Sequence, residues 1–274
     1  MKNLLVTLIA GVLSMPLFAQ KSLEKIWVSD QQLPVPESVL YLSEASELWV
    51  SLIDGAGNEA DCKGGLAKLH ADGSLKDATW VEGLNAPKGM ALNAGKLYIA
   101  DLTEVVVIDA ASGKILEKIP VEGATFLNDV TANDLGVVFV SDTRQNKVYQ
   151  IKEHQPSVFL EEAPSANGLK AIGTDLYVLA GPELWKVDTA TKNKSVLAKG
   201  FEQGGDGIEP VGNGDFIVTC WAGLIYYVKA DGTFEKLLDV QGKMNTADLG
   251  FNAAEGILYV PTFNNNSVVA YKLK

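Results

Sequence analysis

Six polar residues recur at nearly regular intervals along this chain, and five of them have side-chain oxygens that could together hold a cation. They are Glu37, Lys88, Asn128, Asn167, Asp206 and Asp248. Carboxylate and amide oxygens are the ligands that hard divalent ions such as calcium or magnesium prefer, and zinc or manganese also accept a mixed oxygen site. Three carboxylates that converge in a low-dielectric funnel repel one another, so they require either a bound cation or raised pKa values.

These six residues stand at one position of a sequence pattern that repeats six times. Each repeat contains a run of apolar, β-branched or aromatic residues that follows a turn signal. The runs are 48–51, 97–100, 138–141, 176–179, 216–219 and 258–261. A third and a more polar fourth strand-like segment follow, as in 147–152 and 157–161. The repeat predicts an all-β, six-bladed β-propeller with four antiparallel strands in each blade.

The sixth repeat lacks a fourth strand, whereas a strand-like segment, 25–30, precedes the first repeat. We expect this N-terminal strand to complete the sixth blade, because such closure hides the sheet edges. A closed ring directs the innermost strand of every blade to the central channel. The six polar residues are therefore predicted to converge on the channel mouth. An insertion, 54–64, separates the second and third strands of the first blade.

The N-terminal residues, 1–19, are typical of a secretory signal peptide. Lys2 precedes a short apolar run, and a plausible cleavage site ends at Ala19. This predicts an exported protein, periplasmic or secreted, whose residues 20–274 form a single propeller domain. No later segment is long and apolar enough to span a membrane. The formal net charge of −11 disfavours nucleic acid and anionic membranes as partners, and we expect a small-molecule ligand instead.

The cysteines and histidines are too few to form a metal cluster. Cys62 and Cys220 either pair in an oxidising compartment or remain as two thiols. His70 and His154 have no partner at metal-ligand spacing. Both histidines are predicted to be surface residues of outer strands.

Several segments carry a resemblance to a known family. They are Pro36-Glu37, Leu127-Asn128-Asp129, Asn167-Gly168, Gly205-Asp206-Gly207 and the run 218–221 with Gly223 after it. On these residues the mature chain resembles the gluconolactonase/senescence-marker-protein (regucalcin-like) propellers. The resemblance implies one divalent metal ion, with calcium as the first expectation, held by Glu37, Asn167 and Asp206. It also implies that Asn128 and Asp129 contact the substrate and a water on the metal.

The chain departs from the family's pattern at three places. Phe126 stands where lactonases of the family often carry an arginine that holds a sugar, and Lys88 stands where asparagine is commoner. Glu37 is followed by Ser38 and Val39 in place of Gly-Pro. We therefore expect a less hydroxylated substrate than gluconolactone.

The first functional hypothesis is a metal-dependent hydrolase of a lactone or related ester. The metal would polarise the carbonyl and activate a water, and Asp206, or Asp129 through a water, would act as general base. The substrate would be held by Asn128, Lys88, Phe126 and Asp248. Lys88 would stabilise developing negative charge or a substrate carboxylate.

Two other hypotheses remain open. The second is a non-catalytic envelope propeller that binds a small molecule or a protein partner. The insertion 54–64, which contains Asp54, Asn58, Glu59, Asp61 and Cys62, would then be its recognition loop. The third is a purely structural metal that neutralises the channel, in which case chelation would lower the melting temperature without affecting any activity.

Overall fold

The strands of this protein form six separate sheets of four antiparallel strands each. The computed structural model describes residues 20–29 and 33–274. Its only regular element that is not a strand, within those residues, is a short 3-10 helix, Phe263–Asn265. The prediction of a six-bladed β-propeller is confirmed. The predicted signal peptide, 1–19, and Asp30 lie outside the described residues.

The strands occupy the same order in successive blades. The innermost strands are β2 (Pro36–Leu42), β6 (Pro87–Asn93), β10 (Leu127–Ala132), β14 (Ala166–Ile172), β18 (Ile208–Gly212) and β22 (Gly250–Asn252). The second strands are β3 (Glu47–Leu52), β7 (Lys96–Asp101), β11 (Val138–Asp142), β15 (Asp175–Ala180), β19 (Asp215–Cys220) and β23 (Ile257–Pro261). The third strands are β4 (Gly64–His70), β8 (Glu104–Asp109), β12 (Lys147–Lys152), β16 (Glu183–Asp188), β20 (Leu224–Val228) and β24 (Val268–Leu273). The outermost strands are β5 (Leu75–Leu84), β9 (Ile115–Pro120), β13 (Gln155–Leu160), β17 (Lys194–Lys199), β21 (Phe234–Asp239) and, for the sixth blade, β1 (Leu23–Val28).

The N-terminal strand closes the ring, as the sequence predicts. It pairs antiparallel with β24, from Leu23 opposite Leu273 to Val28 opposite Val269. Trp27 of this strand packs in the core between the sixth and first blades, and its ring centroid lies 5.8 Å from that of Tyr259. The first and last strands of the chain therefore share one sheet, which removes the open edge that β24 would otherwise present.

The core lies between the blades. All residues of β3 and β20 are buried, whereas the outermost strand β9 is mostly partly buried or exposed. Neighbouring blades pack through aromatic and aliphatic side chains, such as Tyr177 of the fourth blade and Phe216 of the fifth, whose ring centroids lie 4.6 Å apart. The middle strands thus form a rigid frame on which the innermost strands are carried.

The innermost strands begin with an irregularity that frees their first residues from the sheet. The pairing register shifts between Pro36 and Val39 in the first blade, and between Leu127 and Val130 in the third. Such bulges redirect side chains locally. In the third blade the Ser141 hydroxyl accepts the Asp129 backbone N–H that the ladder leaves unpaired. The residues at these irregularities therefore point to the channel axis.

The cysteines are free thiols, with Cys62 exposed and Cys220 buried. Burial raises the pKa of Cys220 to about 12. Both histidines are exposed: His70 ends β4, and His154 lies in the turn before β13, where its Nδ1 is 2.5 Å from Glu117 Oε2. In the part of the chain that the structure describes, no helix has the length and apolar character needed to cross a membrane.

Candidate functional site

Five of the six predicted mouth residues line one cavity of about 270 Å³ at the end of the channel. They are Glu37, Lys88, Asn128, Asn167 and Asp206. Each comes from the start of an innermost strand or from the residues just before it. Phe126, predicted from the sequence to contact the substrate, lines the same cavity. The repeat register therefore brings these side chains together across five blades.

The structure corrects the predicted register of the sixth blade by one residue. The Ala247 N–H donates to Pro261 O at 3.1 Å, as the Asp206 N–H donates to Thr219 O at 2.7 Å. Ala247 is therefore the equivalent of Asp206, and Asp248 lies one position deeper. Asp248 Oδ2 accepts a hydrogen bond from Ser38 Oγ at 2.5 Å. With Asp129 it lines a deeper cavity of about 170 Å³ within the channel.

Two buried carboxylates dominate the electrostatics of the mouth. Glu37 and Asp206 are 5% and 3% exposed, and Glu37 Oε2 and Asp206 Oδ2 have no hydrogen-bond partner among the residues that the structure describes. Burial raises the pKa of Glu37 well above its usual range; Asp206 adds to the rise, and Lys88 opposes it. Burial also raises the pKa of Asp206 to about 7, against a hydrogen bond from Asn167. Buried, unpaired carboxylate oxygens are costly unless a proton or a cation binds them.

The oxygen donors at the mouth fit a divalent cation. Glu37, Asn167 and Asp206 all line the cavity, and Asn167 Nδ2 donates to Asp206 Oδ1 at 2.5 Å. The two unpartnered carboxylate oxygens are the observation in favour of a cation. The set contains two carboxylates and one amide; over residues 20–29 and 33–274, no three His, Cys, Asp or Glu side chains form a metal-binding group.

Lys88 places a positive charge in the same cavity. Its side chain is 2% exposed, and its Nζ donates to Ala86 O at 2.9 Å. The ammonium also lies 4.5 Å from the centroid of the Phe126 ring. Burial lowers the pKa of Lys88, while Glu37 and Asp101 oppose the shift. Lys88 thus offsets part of the acidic charge and gives the cavity a hydrogen-bond donor.

The adjacent residues Asn128 and Asp129 line two different cavities. Asn128 Nδ2 donates to Thr143 Oγ1 at 3.0 Å, which orients the amide at the mouth. Asp129 lines the deeper channel, where its Oδ1 and Oδ2 accept the backbone N–H groups of Val130 and Leu169, each at 2.6 Å. Burial raises the pKa of Asp129 to about 7 against these two hydrogen bonds. Asp129 therefore braces adjacent innermost strands.

Four further residues line the mouth cavity; Gly57 belongs to the predicted insertion 54–64, and the other three were not predicted as site residues. They are Ile53, Gly57, Trp221 and Phe263. Each follows the second strand of the first, fifth or sixth blade, on the side of the sheet where the mouth lies. Trp221 and Phe263 pack edge to face, with ring centroids 5.5 Å apart. Together with Phe126, these residues give the acidic cavity a largely apolar wall.

Fold and mouth define a class of protein: a six-bladed β-propeller with buried acids and an aromatic wall at its channel mouth. Several solved structures share the fold. A streptogramin B lyase is 11% identical with a TM-score of 0.69, over 93% of this chain and 98% of that chain. A gluconolactonase from Xanthomonas campestris is 17% identical with a TM-score of 0.66, over 89% and 87% of the two chains. A luciferin-regenerating enzyme is 15% identical with a TM-score of 0.66, over 92% and 95%.

These comparisons confirm the predicted resemblance to gluconolactonase-type propellers at the level of the fold. No protein-family model matches the chain, and no curated protein matches it either. Identities this low establish a common architecture, whereas function is carried by the residues of a site. The chemistry of this chain therefore depends on its own mouth residues.

Proposed function

We propose that this protein is a divalent-cation-dependent hydrolase of a lactone or related ester, acting at the channel mouth. One observation carries the proposal: Glu37 and Asp206 line one cavity, and each has a buried carboxylate oxygen without a hydrogen-bond partner in the described part of the chain. Burial of an unpaired carboxylate costs folding free energy, and the presence of two such groups in one cavity supports a functional role for them. The fold that the chain shares with a gluconolactonase makes lactones the first substrates to test.

The chain's own residues supply the other parts of an ester-hydrolysis site. Asp206 Oδ2, which has no hydrogen-bond partner among the described residues, would face the cation, and Oδ1, which accepts a hydrogen bond from Asn167, would act as general base for an attacking water. Asn128 is oriented by Thr143 and would position the ester group. Lys88 is a buried donor that would stabilise the negative charge developing on the carbonyl oxygen.

Glu37, Asn167 and Asp206 would hold the cation, with calcium as the first candidate and magnesium, zinc or manganese as alternatives. When bound, the cation would supply Lewis-acid polarisation of the substrate carbonyl. Phe126, Trp221 and Phe263 would exclude water from the reacting group. This apolar wall supports a substrate with fewer hydroxyl groups than gluconolactone. The leader-like residues 1–19 support export to the periplasm or the medium as the setting of the reaction.

The test is hydrolysis of a lactone panel by the purified protein. The panel should contain γ-butyrolactone, dihydrocoumarin and gluconolactone, with calcium, magnesium, zinc or manganese added after treatment with a chelator. We expect turnover of the less hydroxylated lactones that is lost on chelation and restored by one of the ions. Asp206→Asn should lower kcat by about 10²-fold or more, while the exposed Asp134→Asn should have no effect.

Two results would refute the proposal. One is the absence of turnover above background with every ion. The other is turnover that Asp206→Asn leaves unchanged. A chelator that lowers the melting temperature, in a protein without any hydrolytic activity, would instead support a structural cation in the channel.

A further inference from the structure

Trp221 is a large aromatic side chain that the fold leaves 44% exposed although its backbone is firmly held. Its carbonyl oxygen accepts hydrogen bonds from Asn245 Nδ2 at 3.0 Å and from the Thr246 N–H at 3.4 Å. In the same turn, a Cβ added to Gly223 would lie 2.6 Å from Met244 O. The turn therefore packs directly on the neighbouring loop. The neighbouring loop thus fixes the turn that carries Trp221, while the ring itself remains partly exposed to solvent. Packing of the core does not require this exposure.

Phe263 packs against Trp221 and is itself held in an unfavourable backbone conformation. The two rings meet edge to face, with an interplanar angle of 81°. Phe263 has a φ of 48°, in the left-handed region that bulky residues rarely occupy. Strain of this kind persists where the surrounding structure enforces it, and it concentrates at functional sites. We call the pair Trp221 and Phe263 the aromatic ridge.

The aromatic ridge separates the mouth cavity from a second cavity of about 460 Å³. Trp221 lines both cavities. Phe263 lines the mouth cavity, and the two residues that follow it, Asn264 and Asn265, line the second. A ligand that occupies the mouth can therefore extend over the ridge into the second cavity without leaving the protein surface.

The second cavity differs in chemistry from the acidic mouth. Apart from the ridge, its side chains are four amides, one ammonium group and two apolar groups: Gln241, Asn245, Asn264, Asn265, Lys243, Ala222 and Met244. Within the described residues, no carboxylate lines it, although the chain as a whole has a net charge of −11. Amide side chains both donate and accept hydrogen bonds, so they match a ligand group that does the same, such as another amide.

We infer that the aromatic ridge and the second cavity form a binding subsite for the arm of an extended substrate. The arm carries an aromatic ring that packs on Trp221 and Phe263, followed by an amide that hydrogen-bonds in the second cavity. The substrate class is an N-acylated aromatic amino-acid ester or lactone, with its ester group in the mouth cavity. The identity of this reacting group rests on the proposed function, whereas the subsite for the arm does not.

The subsite is tested by binding, without any reaction, through isothermal titration calorimetry. The probe is N-acetylphenylalaninamide, and N-acetylalaninamide is the matched ligand that lacks the ring. The wild-type protein should bind the phenyl ligand more tightly, and Trp221→Ala should weaken that binding about threefold to tenfold. Trp221→Phe should restore part of it, and Asn264→Ala should weaken both ligands. Leu135→Ala, which removes an 88% exposed side chain elsewhere, should change neither.

The outcomes separate this inference from the proposed hydrolase. Equal binding of the phenyl ligand by the wild type and Trp221→Ala, or no binding at all, overturns the subsite. Binding that depends on Trp221 in a protein that hydrolyses no ester supports the subsite and counts against the hydrolase. Turnover of γ-butyrolactone, with the same KM for N-acetylphenylalanine methyl ester in the wild type and Trp221→Ala, supports the hydrolase and overturns the subsite.

Discussion

Lys88 is a buried mouth residue whose pKa is lowered by burial and raised by neighbouring acids. Its ammonium is buried against the Phe126 ring, and its one hydrogen bond among the described residues is to Ala86 O. Glu37 favours the charged form, while burial disfavours it. The same ammonium opposes the rise in the pKa of Glu37. A change at Lys88 should therefore alter both the charge available to a substrate and the protonation of its acidic neighbour.

We predict that Lys88→Met, which keeps an unbranched side chain of similar reach, lowers kcat for lactone hydrolysis roughly 10²- to 10³-fold. The reason is the loss of the donor that stabilises negative charge in the transition state. Lys68→Met is the matched control, since Lys68 also lies over an aromatic ring, 3.6 Å from the centroid of Trp80, but away from the mouth. Steady-state kinetics decide the matter, and equal kcat values for both variants would contradict the role.

Most mouth residues could be predicted from sequence, because a repeat places equivalent residues at equivalent positions. The prediction failed for Asp248, since the sixth blade has Pro261 where other blades have Ser51, Ser141 or Thr219, and no glycine follows Asp248 to mark the register. Trp221 and Phe263 were missed for another reason. They lie in loops, and the position of Phe263 depends on a left-handed backbone conformation that a phenylalanine does not predict.

At the scale of elements, the innermost strands approach closely because glycines face carboxylates across blade boundaries. A Cβ added to Gly89 would lie 2.1 Å from Asp129 Oδ1, and one added to Gly207 would lie 2.6 Å from Asp248 Oδ1. Asp129 also accepts the Leu169 N–H from the next blade. Each carboxylate therefore connects its own innermost strand to a neighbouring blade on either side.

We predict that Gly89→Ala lowers the free energy of unfolding by about 1–3 kcal/mol, because the added methyl group overlaps Asp129 and its backbone. Gly204→Ala is the matched control, since its added Cβ would meet its nearest neighbour, Gly181, at an ordinary 3.9 Å. Urea denaturation of both variants gives the comparison. If the two lose the same stability, the contact between Gly89 and Asp129 does not constrain the blades.

The strands themselves were predicted well, because alternating apolar residues and turn signals are local features. The third strand of blade three was predicted with its observed bounds, Lys147–Lys152, and the fourth strand of that blade, expected at 157–161, spans Gln155–Leu160. The closing strand, expected at 25–30, spans Leu23–Val28. Its bounds depend on pairing with β24 at the far end of the chain, which no local pattern encodes.

At the scale of the whole molecule, buried channel acids make stability depend on pH. Burial raises the pKa of Asp129 to about 7, and Lys170 and Asp206 also act on it, whereas an unfolded aspartate has a pKa of about 3.9. The folded state thus keeps its proton to a higher pH than the unfolded state does. The free energy of unfolding must therefore fall as the pH rises from about 4 through about 7.

We predict that the melting temperature of the chelated protein falls between pH 5 and pH 8, and that Asp129→Asn makes this fall smaller. The substitution also removes one acceptor for the Val130 or Leu169 N–H, so it lowers the melting temperature at pH 5, where the wild-type carboxyl is neutral. The informative quantity is the slope. Asp134→Asn, at an exposed turn, should keep the wild-type slope, and a wild-type slope in Asp129→Asn would contradict the prediction.

Closure by the N-terminal strand also fixes where Ser22 and Lys274, near the two ends of the described residues, lie on the propeller. Pro261 and Val268 pair at the mouth end of the sixth blade, and β24 runs from there to Leu273, opposite Leu23. The Lys274 N–H donates to Ser22 O at 3.0 Å, so the two ends leave side by side on the face away from the mouth. A tag, a fusion partner or a solid support attached at either end would leave the mouth open to solution. Immobilised protein should therefore retain full access for ligands.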